Sequence, residues 1–213
     1  MSRVSSFLLL IQEKLQQRKR AKYNEGRRRQ LQNKDFSLFS VNCIGGCMAN
    51  DLGVRFNSPF VNLYLDPKSF LKYLKNPQYY NEQEITFIEW EQYPIAMIED
   101  ITLYFVHYKT EEEARAAWYR RVQRIDYNNL FILFTDRDGT TYKELKEFDE
   151  LPYKNKVVFT HVPHPEIKSA FYIQGFEGEE CVGNLINWKP HKYGKRYYDD
   201  FDFVSWFNNG VKK

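Results

Sequence analysis

The stretch that most restricts the fold is Phe36–Asp51, FSLFSVNCIGGCMAND, where an apolar run breaks at Asn-Cys-Ile-Gly-Gly-Cys and resumes as a helix start. A short apolar run bounded by glycine reads as a buried strand, Phe36–Val41, then a tight turn and a helix opening near Met48–Leu52. Gly45 and Gly46 then fall where backbone N–H groups are unpaired and the helix dipole adds positive potential. Asn42, Gly45 and Gly46 are therefore candidate anion-binding residues at the carboxyl end of a strand, where ligands of open α/β sheets collect. The turn has neither the G-x-G-x-x-G spacing of dinucleotide-binding turns nor the Gly-Lys-Ser/Thr ending of phosphate loops.

Strand and helix signals keep alternating downstream. Phe60–Leu65 reads as a strand and Pro67–Leu74 as a helix, with Asp66 as N-cap and Pro67 at the first helical position. Ile85–Trp90, Ile95–Ile98 and Ile101–Tyr108 are β-rich, the last two turned about Glu99–Asp100 as an antiparallel hairpin. Thr110 followed by Glu111, Glu112 and Glu113 starts a helix that runs to about Arg124. Leu130–Phe134 is the most continuously apolar strand and ends in Thr135-Asp136-Arg137-Asp138-Gly139. Helix Tyr142–Phe148, strands Lys156–Thr160 and Ala170–Ile173, and an aromatic helix within Phe201–Phe207 complete the chain. This order predicts an α/β fold, with helices layered around a mostly parallel, mixed sheet and a basic N-terminal helix in front of it. A chain of 213 residues with 43% hydrophobic and 17% aromatic side chains can fill one sizeable core. The expected division is a basic amphipathic helix over 1–34 and a single α/β domain over 35–213.

The net charge of +3 conceals an asymmetry: Met1–Lys34 holds ten Lys and Arg against two Glu, a surplus of eight, so the remainder carries −5. Ser5 to about Arg29 reads as one helix. Its apolar half, Phe7–Leu15, packs on the body or inserts into a membrane surface, and the basic cluster Arg18, Lys19, Arg20, Lys22, Arg27, Arg28 and Arg29 stays solvated or meets anionic lipid. Nucleic acid is the weaker partner, because no groove-reading motif accompanies the charge. No apolar run approaches the length of a membrane span. Three cysteines without a disulfide-scaffold composition indicate a reducing compartment, so the expected location is cytoplasmic, peripheral to the membrane.

NCIGGC, NSPFVNLYL, YPIAMIEDITLYFVHY, the run Ala117–Arg121 with Arg124 and Ile125, and LFTDRDG occur together in this order. By these segments, roughly Phe36 to Phe159, the chain resembles a bacterial family of uncharacterised domains met in exopolysaccharide and capsule biosynthesis loci. The resemblance implies a polysaccharide context and an α/β fold, and assigns no catalytic role to any residue.

Several constellations carry candidate chemistry. Asp136-Arg137-Asp138 after a buried strand is similar to the Asp-x-Asp element of metal-dependent glycosyltransferases, in which carboxylates hold Mn²⁺ or Mg²⁺ against a nucleotide-sugar diphosphate. The same residues also suit an ordinary turn and helix cap. Cys43, ahead of two glycines at a helix start, is a candidate nucleophile, with His107 or His161 as its base. His161 and His164 are otherwise loop histidines. Arg120, Arg121 and Arg124 suit the phosphates of an activated sugar, or else form a solvated helix face. The function expected is a metal-dependent transferase that binds a nucleotide-sugar or related anionic saccharide precursor, with Cys43, His107 and Asp136 as candidate catalytic residues and Asp136 and Asp138 as metal ligands. The rivals are a non-enzymatic saccharide-binding or scaffold protein and a Cys-dependent acyltransferase or hydrolase.

Overall fold

The computed structural model describes the backbone of residues 3–209 and the side chains of residues 10–209. Its helices are α1 (Arg3–Gln30), α2 (Ile44–Leu52), α3 (Pro67–Lys75), α4 (Pro77–Glu82), α5 (Glu111–Val122), α6 (Tyr142–Glu150) and α7 (Phe203–Asn208). Its strands are β1 (Ser37–Ser40), β2 (Thr86–Ile88), β3 (Ile95–Ile98), β4 (Ile101–Tyr104), β5 (Leu130–Thr135), β6 (Lys156–Thr160) and β7 (Ala170–Tyr172). The main sheet has the order β1-β5-β6-β7 and is parallel throughout; β2-β3-β4 form a second, antiparallel sheet. This is the mixed α/β architecture that the alternation of strands and helices predicts.

Every residue of β5 is buried, because the main sheet is covered on both faces. Successive side chains feed two different cores: Ile132, Phe134, Phe39 and Val158 pack with α3, α5, α6 and the small sheet. Phe131, Leu133, Leu38, Val157 and Phe159 point the other way, toward α2, α7 and the aromatic tail. A period of two across a doubly covered strand explains an apolar run without alternation. Fully burying each such side chain is worth about 1.5–3 kcal/mol.

Local signals placed most element ends. Asp66 accepts from the N–H groups of Lys68 and Ser69 at the start of α3, Thr110 accepts from Glu113 N–H at α5, and Thr141 with Glu144 forms a capping box at α6. Glu99, at φ 52°, makes the β3–β4 turn. Two expectations fail. Phe60–Leu65 is no strand: it is an irregular segment that meets β4 only through a Tyr64–Tyr104 bridge, and Phe60, Leu63 and Leu65 are apolar because they fill the core. Gly45 and Gly46 do not lie in a turn ahead of the helix but inside the first turn of α2.

The N-terminal helix docks by the opposite half from the one its apolar residues indicate. Leu10, Ile11 and Leu15 are 61%, 41% and 46% exposed, whereas Gln16, Arg20, Asn24, Arg27 and Leu31 are buried. Their spacing of three and four residues puts them on one stripe of α1. Arg20 pairs with Asp51 of α2 and with Asp199 of the tail at 2.7 Å, and Arg27 pairs with Asp199 at 2.7 Å. Tyr198 and Asn24 also donate to Asp51. Burial alone would lower the Arg20 pKa, but hydrogen bonds to Asp199 and Asp51 outweigh it and hold the guanidinium above its usual value. Phe7, Leu8 and Leu9, part of the expected apolar face, lie outside the described side chains. Among the described residues no helix is long and apolar enough to cross a membrane.

Candidate functional site

The carboxyl edge of the main sheet is formed by the residues just after β1, β5 and β6. In neighbouring strands these lie roughly 4.8 Å apart, and hydrogen bonds tie them together. Asn42 Nδ2 donates to Thr135 Oγ1 at 3.3 Å, and Asp136 N–H donates to Phe159 O at 3.0 Å. The segment after β1 is shaped by side-chain capping. Asn42 Oδ1 accepts from Ile44 N–H and Ser40 Oγ from Gly45 N–H, both at 3.2 Å. A Cβ on Gly45 would sit 2.6 Å from Ser40 Cβ, so only glycine lets the helix start so close to the strand. Of the two N–H groups expected to be free for an anion, that of Gly45 is thus taken internally; Gly46 N–H has no partner among the described residues.

Cys43 is the N-cap of α2 and is exposed. Three hollows meet at it. One, of about 190 Å³, is walled by Phe56, Phe60, Leu63 and Tyr64 and edged by Asn42, Asn62 and His107. A second, of about 430 Å³, shares Gly46 with the first and adds Cys47, Asn50, Asp51 and Arg196. The third, of about 250 Å³, is bounded by Asn42, Arg137, Asp138 and Asn184. Asn62, at φ 62°, sits at the rim of the first two, a left-handed backbone of the kind stored at binding sites. Burial raises the thiol pKa of Cys47, and of Cys181 outside these hollows.

At the same carboxyl edge, Asp136 and His161, neither of which lines the three hollows, form a pair that proximity in sequence does not reveal. The Asp136 side chain is 4% exposed, and its Oδ2 lies 2.6 Å from His161 Nδ1. The same oxygen accepts from His161 N–H, and Oδ1 accepts from Val182 N–H, each at 2.7 Å. A carboxylate only accepts, so Nδ1 carries a proton toward Asp136, on a ring that is 20% exposed. A buried acid thus fixes the tautomer and orientation of an accessible base.

Other expected site residues are placed differently. Both oxygens of Asp136 are engaged by protein donors, and among the described residues no three His, Cys, Asp or Glu side chains gather to hold a metal ion. The donor set around Asp136 and Asp138 therefore does not fit Mn²⁺ or Mg²⁺. Asp138 instead occupies a left-handed turn at φ 60° ahead of Gly139. Arg121 donates to Val61 O and to the Tyr108 hydroxyl, clipping α5 to the body. Arg120 and Arg124 are exposed, and neither lines the three hollows around Cys43. Arg137 and Arg196 do line the cleft. Arg137 stands in the Asp-x-Asp run itself, while Arg196 lies in a tail whose basic and aromatic residues were legible only as a docked segment.

Residues 14–208 match the family described as a domain of unknown function, DUF1919, and the chain belongs to that family. It is 46% identical over 200 residues to a Haemophilus influenzae (strain ATCC 51907 / DSM 11121 / KW20 / Rd) protein described as an uncharacterized protein, covering 93% of this chain and 97% of the relative. The family match takes in the buried stripe of α1, the Cys43 cleft and the tail.

Proposed function

We propose that the chain binds a nucleotide-sugar or related anionic saccharide precursor in the Cys43 cleft and acts as a transferase in exopolysaccharide or capsule assembly. The observation that carries this reading is the Asp136–His161 pair at the carboxyl edge of the parallel sheet, next in sequence to Arg137, which with Arg196 lines the Cys43 cleft. In the transfer, the free imidazole nitrogen of His161 takes the proton of an acceptor hydroxyl as its oxygen bonds to the sugar's anomeric carbon. The bond from that carbon to the departing diphosphate breaks, and the negative charge it leaves is met by Arg137 and Arg196. Asp136 stabilises the imidazolium and does not itself take the proton. The polysaccharide context rests on the family resemblance of the segments quoted above.

Thermal shift with UDP-, GDP- and CDP-linked sugars tests the reading, since a ligand that prefers the native state raises apparent stability. At least one should stabilise the protein equally with and without Mn²⁺. His161→Gln should retain that stabilisation while losing transfer; no stabilisation by any of them would sink the proposal. A second reading has its own observation: Cys43 and His107 line the same hollow, an arrangement suited to acyl transfer through a thiolate.

We also propose a peripheral position on an anionic membrane, supported by the exposed Leu10, Ile11 and Leu15 beside the exposed Lys14, Arg18, Lys19 and Lys22.

A further inference from the structure

We infer that Arg196 is an anion-binding subsite of the Cys43 cleft, built for a phosphoryl group. Arg196 Nε is buried without a hydrogen-bond partner, and no described carboxylate pairs with its guanidinium. The acids of this region are already satisfied. Asp51 is taken by Arg20, Asn24 and Tyr198, and Asp199 is taken by Arg20 and Arg27 while it also accepts from Arg196 N–H. The guanidinium lies over the Trp188 ring at 5.2 Å from its centroid, and Arg196 lines the 430 Å³ hollow. That hollow is also lined by Gly46, Asn50 and Asn62, and by Asp51, whose carboxylate is already taken by Arg20, Asn24 and Tyr198. A half-buried guanidinium that no described carboxylate pairs with, lining a hollow of this size together with two Asn residues, is matched by an anion with several acceptor oxygens. Phosphate geometry suits its planar fork.

The inference deepens the transferase reading, on which the identity of the anion as a donor's phosphoryl group rests. Calorimetric titration with inorganic pyrophosphate and with UDP-, GDP- and CDP-linked sugars, at fixed ionic strength, tests it. The proteins are the full chain, Arg196→Gln, Arg196→Lys and Arg137→Gln. Arg196→Gln should weaken pyrophosphate roughly tenfold or more, the worth of a charge-assisted contact. Arg196→Lys, which keeps the charge without the fork, should weaken it less, and Arg137→Gln should fall short of the Arg196→Gln effect. Absence of pyrophosphate binding by the unaltered chain overturns the inference, as does unchanged binding by a folded Arg196→Gln. If Arg196→Gln does not fold, full-strength binding by both Arg196→Lys and high-salt samples overturns it, and a salt-sensitive loss in Arg196→Lys supports it. Nucleotide-sugar binding that survives Arg196→Gln leaves the transferase reading standing without this subsite. Pyrophosphate binding that depends on Arg196, with no nucleotide-sugar bound, keeps the subsite and removes the transferase reading.

Discussion

The carboxylate of Asp136 receives two backbone N–H groups and an imidazole in a space closed to water. An amide there offers one accepting oxygen and sets its NH₂ against a donor. Asp136→Asn should therefore lower the unfolding free energy by about 1–3 kcal/mol with no ligand present, as measured by denaturant melts. A neutral variant of wild-type stability would mean that the pair is not held as described. The cysteines provide a second test at this scale. Cys43 is exposed, whereas burial pushes up the thiols of Cys47 and Cys181. Iodoacetamide at pH 8 should label Cys43 before the other two, read by peptide mass spectrometry. If Cys43→Ser then abolishes turnover with an unchanged melting point, the acyl-transfer reading displaces the saccharide one. Asp136 stands out in the sequence as an acid at a strand end, but its partner is 25 residues away. Only the parallel pairing of β5 with β6 brings the two together.

Among the elements, α1 departs most from its sequence pattern. Periodicity counts apolar residues, and the stripe that docks this helix is Gln16, Arg20, Asn24 and Arg27, which such counting assigns to solvent. The strands and capped helices, by contrast, were legible because their apolar runs and cap residues act locally, as at Asp66 and Thr141. Asp199→Ala would leave two buried guanidinium groups to share Asp51, which pairs with Arg20 and lies 3.8 Å from Arg27. We expect a loss of about 3–5 kcal/mol, read by denaturant melts, and a loss under 1 kcal/mol would show the network to be dispensable. Gly194, at φ +77°, passes so close to α1 that a Cβ would lie 2.7 Å from Lys19 Cβ and 2.8 Å from Arg20 N. Because α1 is anchored this way, deletion of residues 1–34 would strand Asp51 and Asp199 and is unsuited to testing membrane contact. Leu10→Gln/Ile11→Gln/Leu15→Gln leaves the buried stripe intact. This variant should lose the salt-sensitive sedimentation with anionic vesicles expected of the unaltered chain; a chain that stays in the supernatant at low salt removes the membrane proposal.

For the molecule as a whole, alkaline stability follows from its buried phenols. Burial pushes the Tyr153 hydroxyl up to about 12 and that of Tyr73 well above its usual value; the two donate to Leu74 O and Asn81 Oδ1. Unfolded phenols ionise near 10, so this contribution is complete below pH 10 and is lost as pH rises toward and beyond about 12. Denaturant melts across pH 9–12 should show that decline, and Tyr153→Phe should make it shallower. The clamp on Arg20 has a different consequence, in the order of events during synthesis. Its partner Asp199 lies 179 residues further along the chain, and the strand partner of β1 is β5, Ser37 with Leu130. Helix α1 cannot settle until the tail that bears Asp199 has followed it out of the ribosome. Contacts of such separation slow folding and leave unfinished chains exposed. A nascent chain stalled before Asp199 should therefore stay protease-sensitive throughout α1, and one extended past the Asp199 tail should gain protection in α1 and the tail together.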